Sequence, residues 1–341
     1  MERRTQEFRF LTFAPDGMEA SLTLTVDGKP QQCALGIDFT PTRISQAAYI
    51  TAPVTFDRND ADIAGKILAT DRLFNLQEME KRPMGILWLE DPLIKRVGVR
   101  ESPLPVFSVT KKIFDQLASG AVSQASMTIS APVEARMLQN VIGVIPGRDR
   151  DKALVISAHF DGCGFDSLGI YRGAVDNASG VVTLLKCAQI LKEYYAGSMP
   201  DRDIVFAAFD GEESGLIGSQ YFMQGTKYGE LSNINIDCVG KGNLYVQSDA
   251  RDAPFAQAVS DCIGGSQTGE LSGISDNMVF YFHNCPAVLV TTLLKNERGN
   301  IHTINDTAED IDRLALLKLA NGISEYVRRQ CGKKQEEEKA A

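Results

Sequence analysis

From residue 153 onward the chain alternates nearly continuous apolar runs with helical periodicity, and this alternation constrains the fold more than any other feature. ALVISAHF (153–160) lacks the polar alternation of a half-exposed strand, so it reads as a strand covered on both faces. DIVFAAF (203–209) and PAVLVTT (286–292) read the same way, and NINID (233–237) is a further strand expected to be buried. Between the first two, Val181, Leu184, Leu185, Ala188 and Leu191 fall on one helical face, which predicts a helix from about Ala178 with Asn177 or Ser179 as its cap. A second helix is expected over 312–329, with Leu316, Leu319, Ala320, Ile323 and Val327 facing inward. Strands alternating with helices imply an α/β fold: a mixed, mostly parallel sheet flanked by helices.

Before residue 130 the pattern differs. ASLTLTV (20–26), AYITAPVTF (48–56), GKILATD (65–71), GILWLED (85–91) and LPVFSV (104–109) are short β-type segments separated by Gly, Pro and Asp. They predict a β-rich sandwich or barrel, with one short helix over KKIFDQLAS (111–119). The expected division is therefore residues 1–130, a β-rich domain; 131–331, an α/β domain; and 332–341 (GKKQEEEKAA), a disordered tail with almost no apolar content.

Polar residues of one chemical type cluster where the apolar runs end. They are His159 and Asp161 in AHFDG, Asp176 in GAVDNASG, Glu212 and Glu213 in DGEESG, Asp237 in NINIDCVG and His302 in NIHTINDT. The chain has only three histidines, and two belong to this set. Ligands of open α/β sheets bind beyond the C-terminal strand ends, where these residues fall. Histidine with carboxylate suits a borderline ion such as zinc, whereas carboxylates alone would suggest magnesium or calcium. Two divalent ions need one bridging carboxylate and roughly two further ligands each, and the set supplies that with one carboxylate to spare. A spare carboxylate beside the metals can move a proton from water to a leaving amine. Neighbours such as Glu212 and Glu213 point to different sides, so one can bind metal while the other faces the water. Asp161 lies on the same side of its strand as His159 and can accept the imidazole N–H.

The motif series HxDG, GAxDNASG, DGEExGLxGS, NxD and SD…IHT, in this order over residues 140–330, resembles the zinc exopeptidase family of aminopeptidase S, aminopeptidase Y and glutamate carboxypeptidase. The resemblance implies two Zn2+ per chain, with His159 and Asp237 on one, Glu213 and His302 on the other, and Asp176 bridging. It implies Glu212 as general base to a hydroxide held between the metals, Asp161 as the residue behind His159, and a cis peptide after Asp176. The implied activity is removal of N-terminal residues from peptides. A carboxypeptidase or dipeptidase, a single-zinc glutaminyl cyclase and a non-catalytic receptor-like relative are the alternatives. ADIAGKIL (61–68), GILWL and LPVFSVT resemble the protease-associated domain often inserted in this family. Relatives carry a helical catalytic segment before that insert, whereas this chain starts almost inside it, as a compact variant or a chain lacking an N-terminal piece would. They also often carry His at the position of Asn277, which weakens any role in substrate contact carried over to SDNMVF (275–280).

The remaining features narrow the partners. A formal charge of −9 argues against nucleic acid, which needs clustered Lys and Arg. No apolar run reaches the ~18 residues of a membrane span, and MERRTQEFRF lacks the apolar core of a signal peptide. Seven scattered cysteines without a CxxC pair lean towards reduced thiols and a cytoplasmic location, or a secreted or periplasmic one if a leader has been removed. Cys163 and Cys238 lie beside the metal residues and read as small core residues rather than ligands, since their neighbours complete the site. His283 matches no ligand position, and Asp166, Asp210 and Asp306 read as turn residues. Asp276 is open between substrate contact and loop support. Arg172 is the only Arg near a motif to which a C-terminal carboxylate could bind.

Overall fold

The structure is a computed structural model describing residues 1–13, 19–43, 47–72, 80–95, 103–130, 133–166, 168–294 and 299–332. The tail expected to be disordered lies, from residue 333, outside the described residues. The chain divides into two compact units. One comprises Met1–Arg9, Met137–Gly164 and Ile170–Ala341; the other comprises Phe10–Arg136 with Phe165–Gly169.

The first unit is built on an eight-stranded sheet. In spatial order its strands are Glu2–Phe13, Val133–Ile145, Arg202–Phe209, Asp149–His159, Glu230–Ile236, Ala287–Thr291, Tyr245–Ser248 and Gln267–Glu270. The four strands from Arg202–Phe209 to Ala287–Thr291 are mutually parallel. Their C-terminal ends therefore share one edge. Val133–Ile145 and Tyr245–Ser248 join them antiparallel on either side.

The continuous apolar runs follow from the sheet being covered on both faces. Leu154, Ile156 and Ala158 point into one core with Leu184, Leu191, Leu319 and Ile323, from the helices Ser179–Tyr194 and Arg313–Cys331. Ala153 and Val155 point into the other, with Phe209, Phe222 and Phe280. Alternate residues of one strand thus serve two cores, and each fully buried Leu or Ile contributes roughly 1.5–3 kcal/mol. The last helix begins where Asp312 accepts hydrogen bonds from Leu314 and Ala315, and its five inward residues are as expected. In Ser179–Tyr194 the buried face instead runs through Thr183, Leu184, Cys187 and Leu191, leaving Leu185 64% exposed. Small Thr183 and Cys187 take inward positions, and of these only the polar Thr183 is one that hydrophobicity alone would not select.

The second unit is a two-sheet β structure. One sheet is antiparallel, ordered Lys29–Cys33, Glu19–Val26, Val122–Ser130, Ala47–Ala52. The other is ordered Phe39–Arg43, Val106–Val109, Gly85–Leu89, Ile67–Thr70, Val54–Thr55, and is parallel apart from its first pair. Leu22, Leu24 and Met127 of the first meet Ile67, Leu87 and Phe107 of the second in one core, closed by Ile113 and Leu117 of the helix Lys111–Ala118. The single run expected over 48–56 is two strands, one in each sheet, interrupted at Pro53, which has no N–H for a ladder.

The boundary expected at residue 130 differs in two ways. The backbone divides between Arg136 and Met137, within a strand that runs through the division. Met1–Arg9 also belongs with the α/β unit, because Glu2–Phe13 forms its outermost strand beside Val133–Ile145.

Candidate metal centre

Each residue expected at the site sits at the parallel strand edge. His159 is the last residue of its strand. Glu212 and Glu213 occupy the turn after Arg202–Phe209, and Asp237 directly follows Glu230–Ile236. Asp176 lies in the irregular turn Ala174–Ala178, where the Asp176–Asn177 peptide is cis, and His302 lies in the loop after Ala287–Thr291. Leu216, Cys238 and His302, all close to these positions, have φ of 63°, 56° and 58°. Left-handed backbone at non-glycine residues is uncommon, and three of the five such residues among those described, the others being Asp27 and Asn284, lie around this centre.

The side chains converge. His159 Nε2 is 3.1 Å from Asp176 Oδ1 and 3.4 Å from Asp237 Oδ1. His302 Nε2 is 3.0 Å from Asp176 Oδ2 and 3.2 Å from Glu213 Oε2. Asp176 therefore offers one oxygen to each histidine. Asp176, Glu213, Asp237 and His302 line, with Glu212, a cleft of about 460 Å³, walled by Ile274, Leu289, Leu293, Leu294 and Ile301. A second concavity of about 530 Å³, beside Arg4, Arg150 and Lys227, contains none of them.

The polar atoms fit a bound cation. His159 Nε2 and Asp237 Oδ1 are buried and make no hydrogen bond, although unpaired buried polar atoms are costly. Burial alone would lower the His159 pKa, yet Asp237 and Glu212, with Asp161 and Asp176, raise it well above the ordinary value. Burial opposes a raised His302 pKa too, but Asp176 and Glu213 bring it to about 10. Burial would raise Asp176, but His159 and His302 hold its carboxyl below the usual range. Burial raises Glu212 well above the carboxylate range; Asp237, Asp276 and Glu213 add to this against the opposing His159. Such a site draws positive charge to the two imidazole Nε2 atoms, and the mixed N and O donors suit zinc.

Asp161 does more than the sequence suggests. Its Oδ1 lies 3.5 Å and its backbone carbonyl 3.2 Å from His159 Nδ1. Its carboxylate also accepts the backbone N–H of Glu212 at 3.0 Å and of Glu213 at 3.1 Å. One side chain thus orients a histidine and holds the turn carrying two site carboxylates.

Several supporting residues escape sequence reasoning. Asp306, expected as a turn residue, is buried and accepts the N–H groups of Val175 at 2.7 Å and Asp176 at 3.1 Å, fixing the backbone of the shared carboxylate. A directional chain supports Asp237: Asn233 donates to Ser157, Ser157 to Asn235, Asn235 to Ser275, and Ser275 to Asp237 Oδ2. Period-2 polarity in NINID was a usable signal, since Asn233 and Asn235 alternate with apolar Ile234 and Ile236. Asn177 Oδ1 accepts from Gly180 and Cys238, so it ties the first turn of the following helix to the Asp237 strand end. Gly180 is required there, because a Cβ would come within 2.6 Å of the Ile236 carbonyl.

Other expectations resolve individually. His283 is held by the Val279 carbonyl at 2.7 Å and belongs to neither cluster of potential metal ligands. Arg172 is exposed and is not part of the cleft wall. Cys238 is buried in the core and burial pushes its thiol up. Asp210 accepts the Gln139 N–H, and Asp276 is fully buried and accepts from Ser219. Cys163 is buried as expected, and its Sγ also groups with Glu213 and His302, 3.6 Å from Glu213 Oε1.

The profile of peptidase family M28 matches residues 140–327. The chain belongs to this family. Among M28-related sequences, aminopeptidase YwaD of Bacillus subtilis is 30% identical over 156 residues, covering 44% of this chain and 31% of its own length. A probable zinc metalloprotease of Pyricularia oryzae is 32% identical over 158 residues, covering 44% and 29%. A glutamate carboxypeptidase 2 homologue of Caenorhabditis elegans is 31% identical over 172 residues, covering 46% and 21%. The chain thus spans a third or less of these relatives. Among solved structures, an aminopeptidase from Aneurinibacillus superposes with TM-score 0.73 at 20% identity, covering 98% of this chain and 85% of that one. A zinc aminopeptidase from Bacillus subtilis gives 0.70 at 21%, covering 99% and 86%. At that identity the likeness shows the fold, and the M28 fold here is the α/β unit with its eight-stranded sheet.

Proposed function

We propose that this M28 chain is a two-metal aminopeptidase, removing N-terminal residues from peptides with Glu212 as general base. The observation that carries the reading is the shared carboxylate: Asp176 places one oxygen against His159 and the other against His302, each imidazole having a second carboxylate of its own. His159, Asp237 and Asp176 would hold one Zn2+, and Glu213, His302 and Asp176 the other. Metals so held would acidify a water and polarise the scissile carbonyl.

The chain's own residues do the rest. Glu212, with its pKa raised by burial, accepts a proton from water and returns it to the leaving amine. Asp161 keeps the His159 ring and the Glu212–Glu213 backbone in register. The aliphatic wall of Ile274, Leu289, Leu293, Leu294 and Ile301 accommodates an apolar side chain beside the scissile bond. No Lys or Arg lines the cleft among the described residues, which favours a free N-terminus over a C-terminal carboxylate. Two complete half-sites favour two metals over the single zinc of a cyclase, and a full ligand set favours an enzyme over a receptor. The β-rich unit, with its own core and no ligand cluster among the described residues, is proposed as a protease-associated-type accessory domain.

Metal content of purified protein, followed by turnover of aminoacyl-nitroanilides with and without chelator, tests the reading. Two equivalents of zinc and chelator-sensitive turnover are expected. Glu212→Gln should keep both metals and lose about 10²–10⁴-fold in kcat. Full activity in that variant, or turnover of N-blocked but not C-blocked peptides, overturns it.

A further inference from the structure

Cys163 lies just past His159, in the loop leaving the central strand, with 8% of its surface exposed. The described residues contain two groups of three metal-ligating side chains. One is His159, Asp176 and Asp237; the other is Cys163, Glu213 and His302, whose ligand atoms lie within 4.8 Å of one another. The Glu213 carboxylate is shared between the last two, with Oε2 at 3.2 Å from His302 Nε2 and Oε1 at 3.6 Å from Cys163 Sγ.

That spacing matches coordination chemistry. Zinc–sulfur bonds of about 2.3 Å and zinc–oxygen bonds of about 2.1 Å at a tetrahedral angle put sulfur and oxygen roughly 3.6 Å apart. We propose that Cys163 is a sulfur ligand of the metal held by Glu213 and His302, binding as thiolate with its proton released to solvent. The proposal rests on the two-metal reading above and adds a donor to one half of it.

The consequence is an asymmetric pair. The His159–Asp237 half has nitrogen and oxygen donors only, whereas the other half gains a soft sulfur. Thiolate ligands select zinc over hard ions such as manganese and magnesium, so the sulfur half should discriminate where the other does not. The competing arrangement is a thiol that merely donates a hydrogen bond to Glu213 Oε1, and it leaves no sulfur in the metal's shell.

X-ray absorption at the zinc edge of the fully loaded protein separates the two. The expected spectrum contains a sulfur shell at about 2.3 Å, amounting to one sulfur for the two zincs. In cobalt titrations of metal-free protein, a near-ultraviolet sulfur-to-cobalt charge-transfer band should appear in wild type. It should be absent from Cys163→Ser, which retains the His159–Asp237 metal and binds the other at least about tenfold more weakly. If Cys163→Ser does not fold, the wild-type absorption spectrum decides alone. Two bound zincs with nitrogen and oxygen neighbours only overturn the sulfur ligand and leave the two-metal reading standing. One zinc with no sulfur shell overturns both.

Discussion

His159 and Asp237 stand at the ends of neighbouring parallel strands, whereas Glu213 and His302 stand in a turn and a loop. The His159 side chain is 1% exposed and that of His302 is 21% exposed. The strand-end half is further tied down by the hydrogen-bond chain from Asn233 to Asp237, deep in the sheet. The loop half depends on the Asp161 clamp at Glu213 and on left-handed backbone at His302. Asp176 contacts both histidines directly, and Asp161 supports both halves from behind. A metal centre can thus combine a position fixed by the sheet with one assembled by loops, and the second should exchange metal more readily.

The most severe way to break this comparison is to remove what the halves share. Asp176→Ala should reduce bound zinc below two equivalents and lower kcat/KM by about a thousandfold or more, since the metals' contribution is worth several kcal/mol. Retention of both metals would mean that the halves are independent. Next comes separation of the halves. His302→Ala should keep one tightly bound zinc, while His159→Ala should lose the strand-end metal and also unfold at lower temperature, because it empties a fully buried position. Stepwise chelation of wild type should remove the loop metal first; simultaneous loss of both would refute the asymmetry.

Ser275→Ala sharpens the contrast at lower cost. It deletes the donor to Asp237 Oδ2 without touching the loop half. Support residues behind metal ligands typically contribute about 10–100-fold in affinity, and that loss should fall on the strand-end metal alone. Competition titrations with a chromophoric chelator would resolve which metal weakens.

How much of this was legible in the sequence follows the same division. The strand-end residues announce themselves, because an apolar run that stops at His159 or before Asp237 marks a parallel-strand terminus. Glu213 and His302 stand in no periodic segment, and only their motif context in DGEESG and NIHTINDT singled them out. Asp306 was read as a turn residue because its partners, Val175 and Asp176, are remote in sequence and no local pattern encodes that pairing. Ser157 and Ser275 were missed for the same reason. Met1–Arg9 was misplaced because a strand at the sheet edge carries little apolar signal, and its partner strand lies beyond the whole β-rich unit. The sequence places Cys163 near the site residues, but its proximity to Glu213 and His302 in particular is set by the fold, since both are 50 or more residues away.

A last expected effect falls on stability rather than on metal affinity and concerns Asp276, behind the strand-end half. It is fully buried, its Oδ1 accepts from Ser219, and its Oδ2 has no hydrogen-bond partner. Burial raises its pKa from 3.8 to about 7, with Asp161 and Asp237 adding to the shift against His159 and Ser219. The folded carboxyl therefore keeps its proton across a window in which the unfolded one has lost it. Between about pH 4 and 7 the folded state binds the extra proton, so this group makes stability fall as pH rises, and the loss is complete above its folded pKa. Asp276→Asn stays neutral throughout, keeps an acceptor for Ser219, and puts an amide nitrogen where the carboxylate oxygen has no partner. In urea titrations of metal-free protein, the variant should match wild type near pH 4 and gain progressively towards pH 8, by at most roughly 4 kcal/mol at 1.36 kcal/mol per pKa unit. Parallel pH profiles for the two proteins would show that Asp276 stays ionised in its buried position, and that the strand-end half tolerates one more negative charge than its geometry implies.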